Sequence, residues 1–259
     1  MRRARGLAAP TLAFALLAGA AGPCPATPAP ADSSQAGVSL LGLDDLGLAL
    51  FTGVGLAVLG HVDRDLSERW SATASGDGLA RFGERFGNPL YSLPLLGAAY
   101  VAGRVAHRPG LSASALRIGG GMVTAGVLAG GAKLVAGRWR PYESSSDAGR
   151  FSPFSSHSSF PSGHATIAFS LAAGLDRETR TAWVPLVAYP AAAITAWSRV
   201  HERKHWPTDV AAGALLGVWA SGRFDRIVRT RGANRVSLRV SPVVDPATGS
   251  LDLGATLRF

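Results

Sequence analysis

The sequence predicts an all-α protein, a six-helix bundle followed by a short C-terminal β-hairpin. From Leu40 to about Arg223, apolar stretches alternate with short polar connections, and those stretches are too long and too rich in Ala, Leu and Gly for strands. Prolines stand where helices begin: Pro161 and Pro207 precede the fourth and sixth stretches. Only after residue 235 does the apolar period become an alternation.

The elements follow in order. Three arginines in the first five residues, a charge-free apolar run from Gly6 to about Ala21, and small residues at Ala18, Ala20 and Ala21 read as a secretory signal peptide, with a Pro/Ala linker to residue 31. The expected helices cover about Leu46–Val62, Phe86–Gly103, Ile118–Ala132, Ala165–Leu175, Thr181–Ser198 and Val210–Gly222. Pro190 lies inside the fifth and is expected to kink it. These runs are mostly shorter than the roughly 20 residues of a bilayer span, and marginal spans look like the buried helices of a soluble bundle. The helices define a domain over residues 40–230. Val236, Leu238 and Val240, then Leu251, Leu253, Leu257 and Phe259, alternate with polar residues around Asp245–Gly249, which predicts a hairpin over 235–259. An isolated hairpin is marginal in water, so it needs a packing partner.

Composition excludes several classes. With 47% hydrophobic residues, 17% charged residues and one cysteine, Cys24, the chain is neither disordered nor a disulfide scaffold, and it has no cysteine metal site. A formal charge of +9 favours anionic partners. The basic residues collect at motif loops and helix ends and form no stripe interleaved with aromatics, which argues against a nucleic-acid partner.

Three short constellations carry chemistry suited to phosphate. The first runs Lys133-Leu134-Val135-Ala136-Gly137-Arg138-Trp139-Arg140-Pro141. If the third helix continues to Pro141, Lys133 and Arg140 lie two turns apart on one face and reach one anion. The plainer reading is a positive helix terminus complementing its dipole. The second, Phe160-Pro161-Ser162-Gly163-His164-Ala165, opens the fourth helix, where backbone N–H groups beside Ser162 and Gly163 cradle an oxyanion and His164 stands ready as an acid. A plain N-cap explains Ser162 and Pro161 but leaves His164 unassigned. The third runs from Ser198 to Asp209. Arg199 offers a planar fork for two phosphate oxygens, and His205 with Asp209 forms a nucleophile with its orienter. The plainer reading there is a basic loop beside a capping Asp209.

In this order, Lys-x6-Arg-Pro, Pro-Ser-Gly-His and Ser-Arg-x5-His-x3-Asp resemble the phosphatidic acid phosphatase type 2 superfamily, which also holds bacterial class A acid phosphatases and vanadium haloperoxidases. The resemblance covers about Leu46 to Gly222. It implies an all-helical fold and a metal-independent phosphatase without a cofactor that works through a phosphohistidine. Lys133, Arg140 and Arg199, helped by Ser162 and Gly163, would bind the phosphoryl oxygens. His205 would attack phosphorus, Asp209 would orient it, and His164 would protonate the leaving oxygen. No acidic cluster suited to Mg²⁺ is evident in the sequence. His61, His107 and His157 lie outside the motifs and read as structural or surface residues, whereas His201, near Arg199, is placed to line the pocket.

The resemblance leaves two substrate classes, phosphorylated lipids such as phosphatidate, polyprenyl diphosphates or lipid A, and small soluble phosphate esters in the periplasm. The apolar helices and the run from His205 to Gly213 favour the lipid side. The expected place is the bacterial cell envelope, either in a membrane with the site facing the periplasm or in the periplasm itself. A cleaved leader puts the mature N-terminus outside, which inverts the site if all six helices span. A vanadate-dependent haloperoxidase is the remaining enzyme class, disfavoured by the modest length and small helical core.

Overall fold

The structure, a computed structural model, describes residues 43–71, 76–144, 147–230, 237–244 and 251–258. The expected leader and linker therefore lie outside the described residues, as does the turn expected at Asp245–Gly249. Eight helices occur among the described residues: α1 Leu43–Gly60, α2 Asp63–Ser71, α3 Asp77–Phe86, α4 Pro89–Val105, α5 Pro109–Ala136, α6 Gly163–Thr179, α7 Trp183–His201 and α8 Pro207–Thr230. Two strands, β1 Ser237–Val244 and β2 Leu251–Arg258, pair antiparallel with Ser237 opposite Arg258.

The expected count of six helices is corrected by α2 and α3. Both are short and polar, with Asp63 and Asp65 in the first turn of α2 and Asp77 in that of α3. A search for apolar runs passes over such helices, although acidic first turns complement the helix dipole. Local chemistry explains the other boundaries. Asn88 caps α4 by accepting from the Leu90 N–H at 3.0 Å, with Pro89 in the first turn. The longest helix, α5, opens at Pro109 and closes at Gly137, whose φ of 55° takes the left-handed cap conformation open to glycine. Helix α7 runs through Pro190 to His201.

At the centre lies α6, buried from Ala165 through Gly174 and packed against α5, α7 and α8. Ile118 and Met122 of α5 meet Ile167 and Leu171 of α6 in an apolar cluster closed by Phe86, Leu93, Leu96 and Leu175. Removing this surface from water is the main driving force for docking α5 on α6. Glycines set the α6–α8 separation. A Cβ at Gly213 would stand 2.5 Å from the Ser162 carbonyl oxygen, and one at Gly217 would collide with that of Thr166. At the far end Glu178 of α6 accepts from Arg117 of α5 and Arg229 of α8, each at 2.7 Å. These charged bonds fix the lower ends of three helices, leaving the N-termini of α6 and α8 side by side above them.

The outer faces are apolar. Leu90, Leu95 and Val105 on α4, Val127 and Leu134 on α5, and Trp183 and Leu186 on α7 are all exposed. Among the described residues, α5 is the one helix long and apolar enough to cross a membrane by length and composition.

Candidate active site

Helix ends carry the candidate residues to one place. His205 precedes α8 by two residues, and Asp209 stands in the first turn of α8. The His205 Nδ1 lies 2.8 Å from the Ser159 carbonyl oxygen and 3.6 Å from Asp209 Oδ2. A carbonyl only accepts, so Nδ1 carries the proton and donates, leaving the Nε2 lone pair free. The direct orienting partner is thus a backbone carbonyl, with the carboxylate behind it. That corrects the expectation of a direct His205–Asp209 hydrogen bond.

Asp209 is fully buried, and its oxygens are occupied elsewhere. Oδ2 accepts from the Trp206 N–H at 2.8 Å and from the Ser159 hydroxyl, while Oδ1 accepts from Arg138 Nη1 at 2.6 Å. Burial pushes its pKa up, but the donors win and hold the carboxyl below its ordinary value. His205 is held below the ordinary imidazole value: burial disfavours the cation, and Lys133 and Arg140 add to that, against the opposing pull of Asp209. A buried imidazole that resists protonation keeps its lone pair at neutral pH.

Lys133 and Arg140 do converge, by a route other than a shared helix face. Gly137 ends α5 four residues after Lys133, and the chain turns before Arg140. Both cations then meet at Ser158: Lys133 Nζ donates to its carbonyl, and Arg140 Nη2 donates to its hydroxyl at 3.2 Å. Pro141 therefore does not end a helix, because the left-handed cap has already stopped it. Gly163 opens α6, with the stem of Lys133 3.8 Å from where its Cβ would stand.

Ser162 is the N-cap of α6, and its backbone N–H donates to the Asp209 carbonyl at 2.9 Å, tying α6 to α8. Its buried hydroxyl has no hydrogen-bond partner among the described residues. A buried hydroxyl without a partner costs stability unless something else uses it, and an anion at the helix terminus would. His164 follows it. Burial first, then the charges of Arg199 and His205, depress its pKa to about 4. Arg199, only 1% exposed, lies near two carboxylates, Glu202 at 3.1 Å and Glu84 of α3 at 3.9 Å.

His201, by contrast, is drawn away from the pocket, because its Nδ1 lies 3.0 Å from the Trp70 carbonyl and its ring stacks on Trp197. His157 stacks on Trp139 with centroids 3.6 Å apart and sits 3.3 Å from Glu143, in the Ser-rich loop of residues 143–160 that follows Arg140.

Ser158 and Ser159 stood out in the sequence only as members of a Ser-rich loop, residues 143–160, expected to border the pocket mouth, and Glu84, Arg138 and Asp63 carried no assigned role. Arg138 had a signal, since it is an arginine inside the first constellation with no role assigned. Asp63 had none: it stands among charged neighbours in Val62-Asp63-Arg64-Asp65, 146 residues before Asp209.

With this geometry in place, comparison with known proteins is informative. Residues 114–232 match the PAP2 superfamily. The likeness is thus to the PAP2 superfamily, over somewhat less than half of the chain. The match contains Lys133, Arg140, Ser162, Gly163, His164, Arg199, His205 and Asp209, whereas α1 to α4 precede it. A lipid A 1-phosphatase of Porphyromonas gingivalis is 34% identical over 101 residues, covering 38% of this chain and 19% of that protein. An undecaprenyl-diphosphatase of Sulfolobus acidocaldarius is 36% identical over 99 residues, covering 38% of this chain and 48% of that one. The matched segment thus spans about half or less of each of these relatives. A transmembrane PAP2 type phosphatidylglycerolphosphate phosphatase from Bacillus subtilis superposes with a TM-score of 0.56 at 20% identity, over 71% of this chain and 96% of that one. That likeness establishes the PAP2 fold.

Proposed function

We propose that this protein is a metal-independent phosphatase that hydrolyses phosphorylated lipids through a phosphohistidine formed on His205. One observation carries the reading: a buried histidine donates from Nδ1 to the Ser159 carbonyl, which leaves the lone pair on Nε2, in a pocket where the ring feels the charges of Lys133 and Arg140 and acts on His164. In-line attack by Nε2 forms the N–P bond as the P–O bond to the alcohol breaks. Lys133, Arg140 and Arg199, with the Ser162 hydroxyl and the α6 terminus at Gly163, balance charge on the three equatorial oxygens. His164 gives a proton to the departing alkoxide and then takes one from water, whose oxygen attacks phosphorus and returns His205 to its starting state.

Lipid is the favoured substrate class. The relatives carry the names of phosphatases acting on lipid A and undecaprenyl diphosphate, and the exposed aliphatic faces of α4, α5 and α7 suit a membrane setting. On this reading residues 40–230 form the catalytic unit in the cell envelope, with the site at the periplasmic side, and β1 and β2 belong to the expected terminal hairpin.

The test is phosphate release from phosphatidate, a polyprenyl diphosphate, a lipid A phosphate, p-nitrophenyl phosphate and a nucleotide, beside trapping of ³²P on the protein. Preference for the lipids and an acid-labile label absent from His205→Ala are expected. Equal or faster turnover of the soluble esters would make this a small-ester phosphatase, and a label that survives His205→Ala would overturn the nucleophile.

A further inference from the structure

Behind the candidate nucleophile a single arginine bridges two buried aspartates. Asp63 and Asp209 are fully buried and Arg138 is 4% exposed. Arg138 Nη1 donates to Asp209 Oδ1 at 2.6 Å and to Thr208 Oγ1 at 2.5 Å. Its Nη2 donates to Asp63 Oδ2 at 2.7 Å and to the Ala148 carbonyl at 2.5 Å, and Nε donates to that same carbonyl at 3.0 Å. All five N–H donors of the guanidinium are therefore committed, leaving none for a substrate phosphate. Thr208 closes the ring: its N–H donates to Asp63 Oδ1 at 2.8 Å, and its hydroxyl donates to Asp63 Oδ2 while accepting from Arg138.

A buried arginine locked in this way acts on Asp209. The Asp209 carboxylate lies 3.6 Å from the His205 imidazole, and a full negative charge there would draw a proton onto the ring. Arg138 offsets that charge and pins the oxygen that faces away from the histidine. Asp63 in turn pins Arg138, and it comes from α2, which precedes the PAP2 match. The ring thus joins α2, the connection between α5 and α6 that holds both Arg138 and Ala148, and the first turn of α8, which holds Thr208 and Asp209.

We propose that Arg138 and Asp63 are positioning residues for His205: Arg138 holds Asp209 and offsets its charge so that the imidazole stays oriented but unprotonated, and Asp63 supplies, from outside the family segment, the anchor that holds Arg138. This deepens the phosphohistidine reading and rests on it for its kinetic consequences. The charged or titratable groups around His205 are Asp209 on α8, Lys133 on α5, Arg140 in the following turn and His164 on α6, with Arg199, Lys204 and Glu84 beside His164. In the buried ring, Arg138 and Asp63 act with opposite signs, which separates an electrostatic role from mere packing.

The experiment compares wild type, Arg138→Met, Arg138→Lys and Asp63→Asn as full-length protein in detergent, by two readouts. One is the pH profile of p-nitrophenyl phosphate or phosphatidate hydrolysis. The other is an NMR titration of the His205 ring in histidine-labelled protein, which needs no turnover. Loss of the cation raises the His205 pKa, so for Arg138→Met the acidic limb and the NMR midpoint should move up by about one pH unit with kcat at least tenfold lower. Loss of the anion should move both down in Asp63→Asn, again with reduced kcat. Arg138→Lys should leave the midpoint near its wild-type place while lowering kcat, because the charge stays and the five-donor geometry goes.

If Arg138→Met fails to fold, the downward shift of Asp63→Asn against the unmoved midpoint of Arg138→Lys still decides. A His205 midpoint unmoved in whichever of Arg138→Met and Asp63→Asn folds, with kcat within twofold of wild type, would overturn the proposal. A wild-type protein that releases no phosphate from any substrate but shows the NMR shifts would instead overturn the phosphatase reading while leaving the positioning network standing.

Discussion

Gly213→Ala tests how far the chemistry depends on the α6–α8 contact. The added Cβ would stand 2.5 Å from the Ser162 carbonyl oxygen and 3.1 Å from Thr166 Oγ1, where ordinary van der Waals contact begins at 3.4 Å. The obstacle is backbone, so the helices must part by about 0.9 Å at this level. Asp209 lies one turn before Gly213 on α8, while Ser162 and His164 open α6. The same movement therefore separates His205, the proposed nucleophile, from His164, the proposed acid, and strains the bond from the Ser162 N–H to the Asp209 carbonyl. A misplacement of about 1 Å costs about 10²-fold in rate, and overpacking a core costs about 1–3 kcal/mol in stability.

Gly130→Ala is the control, since a Cβ there meets nothing within 4 Å. It should leave kcat unchanged and stabilise α5 by roughly 0.5–1 kcal/mol. Phosphate release and thermal melting in detergent read both quantities. A Gly213→Ala protein with wild-type kcat and an unchanged Tm would refute the claim that this contact sets the spacing of the site.

The remaining predictions concern the chemistry. His164→Ala should lower the rate about 10²- to 10⁴-fold on alkyl phosphates but spare p-nitrophenyl phosphate to within about tenfold, because a phenolate leaves without a proton; equal losses on both would remove His164 from the acid role. With a His164 pKa of about 4, the free protein loses the acid form as pH rises through that value. The bound phosphate's negative charge favours the cation, so the alkaline limb of kcat should lie at least roughly one unit above that of kcat/KM, and coincident limbs would contradict this. Vanadate, a phosphate mimic that accepts a ligand from His205, should inhibit wild type far more than His205→Ala, and a chelator should leave turnover unchanged; inhibition by chelator would contradict the metal-independent reading.

Much of the site was legible because its parts are local. Pro-Ser-Gly-His at a helix start, and an Arg, a His and an Asp spaced around the next one, announce themselves within a few residues. The apolar helices were legible through their composition, and the starts of α6 and α8 through Pro161 and Pro207. Helices α2 and α3 escaped because a polar helix has no apolar run to betray it, yet α2 brings Asp63 and α3 brings Glu84. The placing of Lys133 and Arg140 on one helix face failed because the left-handed cap at Gly137 outweighs the preference for continuing a helix toward Pro141.

The sequence by itself determined the mostly helical architecture, the order of the three constellations and the presence in them of residue types suited to phosphate. Tertiary structure decided the partners: that Ser159 holds the His205 ring, that Ser158 gathers Lys133 and Arg140, and that Arg138 links Asp209 to Asp63. Helix periodicity and capping follow from neighbours a few residues apart. The choice of which buried carboxylate meets which guanidinium follows from desolvation, since a charge taken from water must find its counterion wherever packing brings one, however distant along the chain.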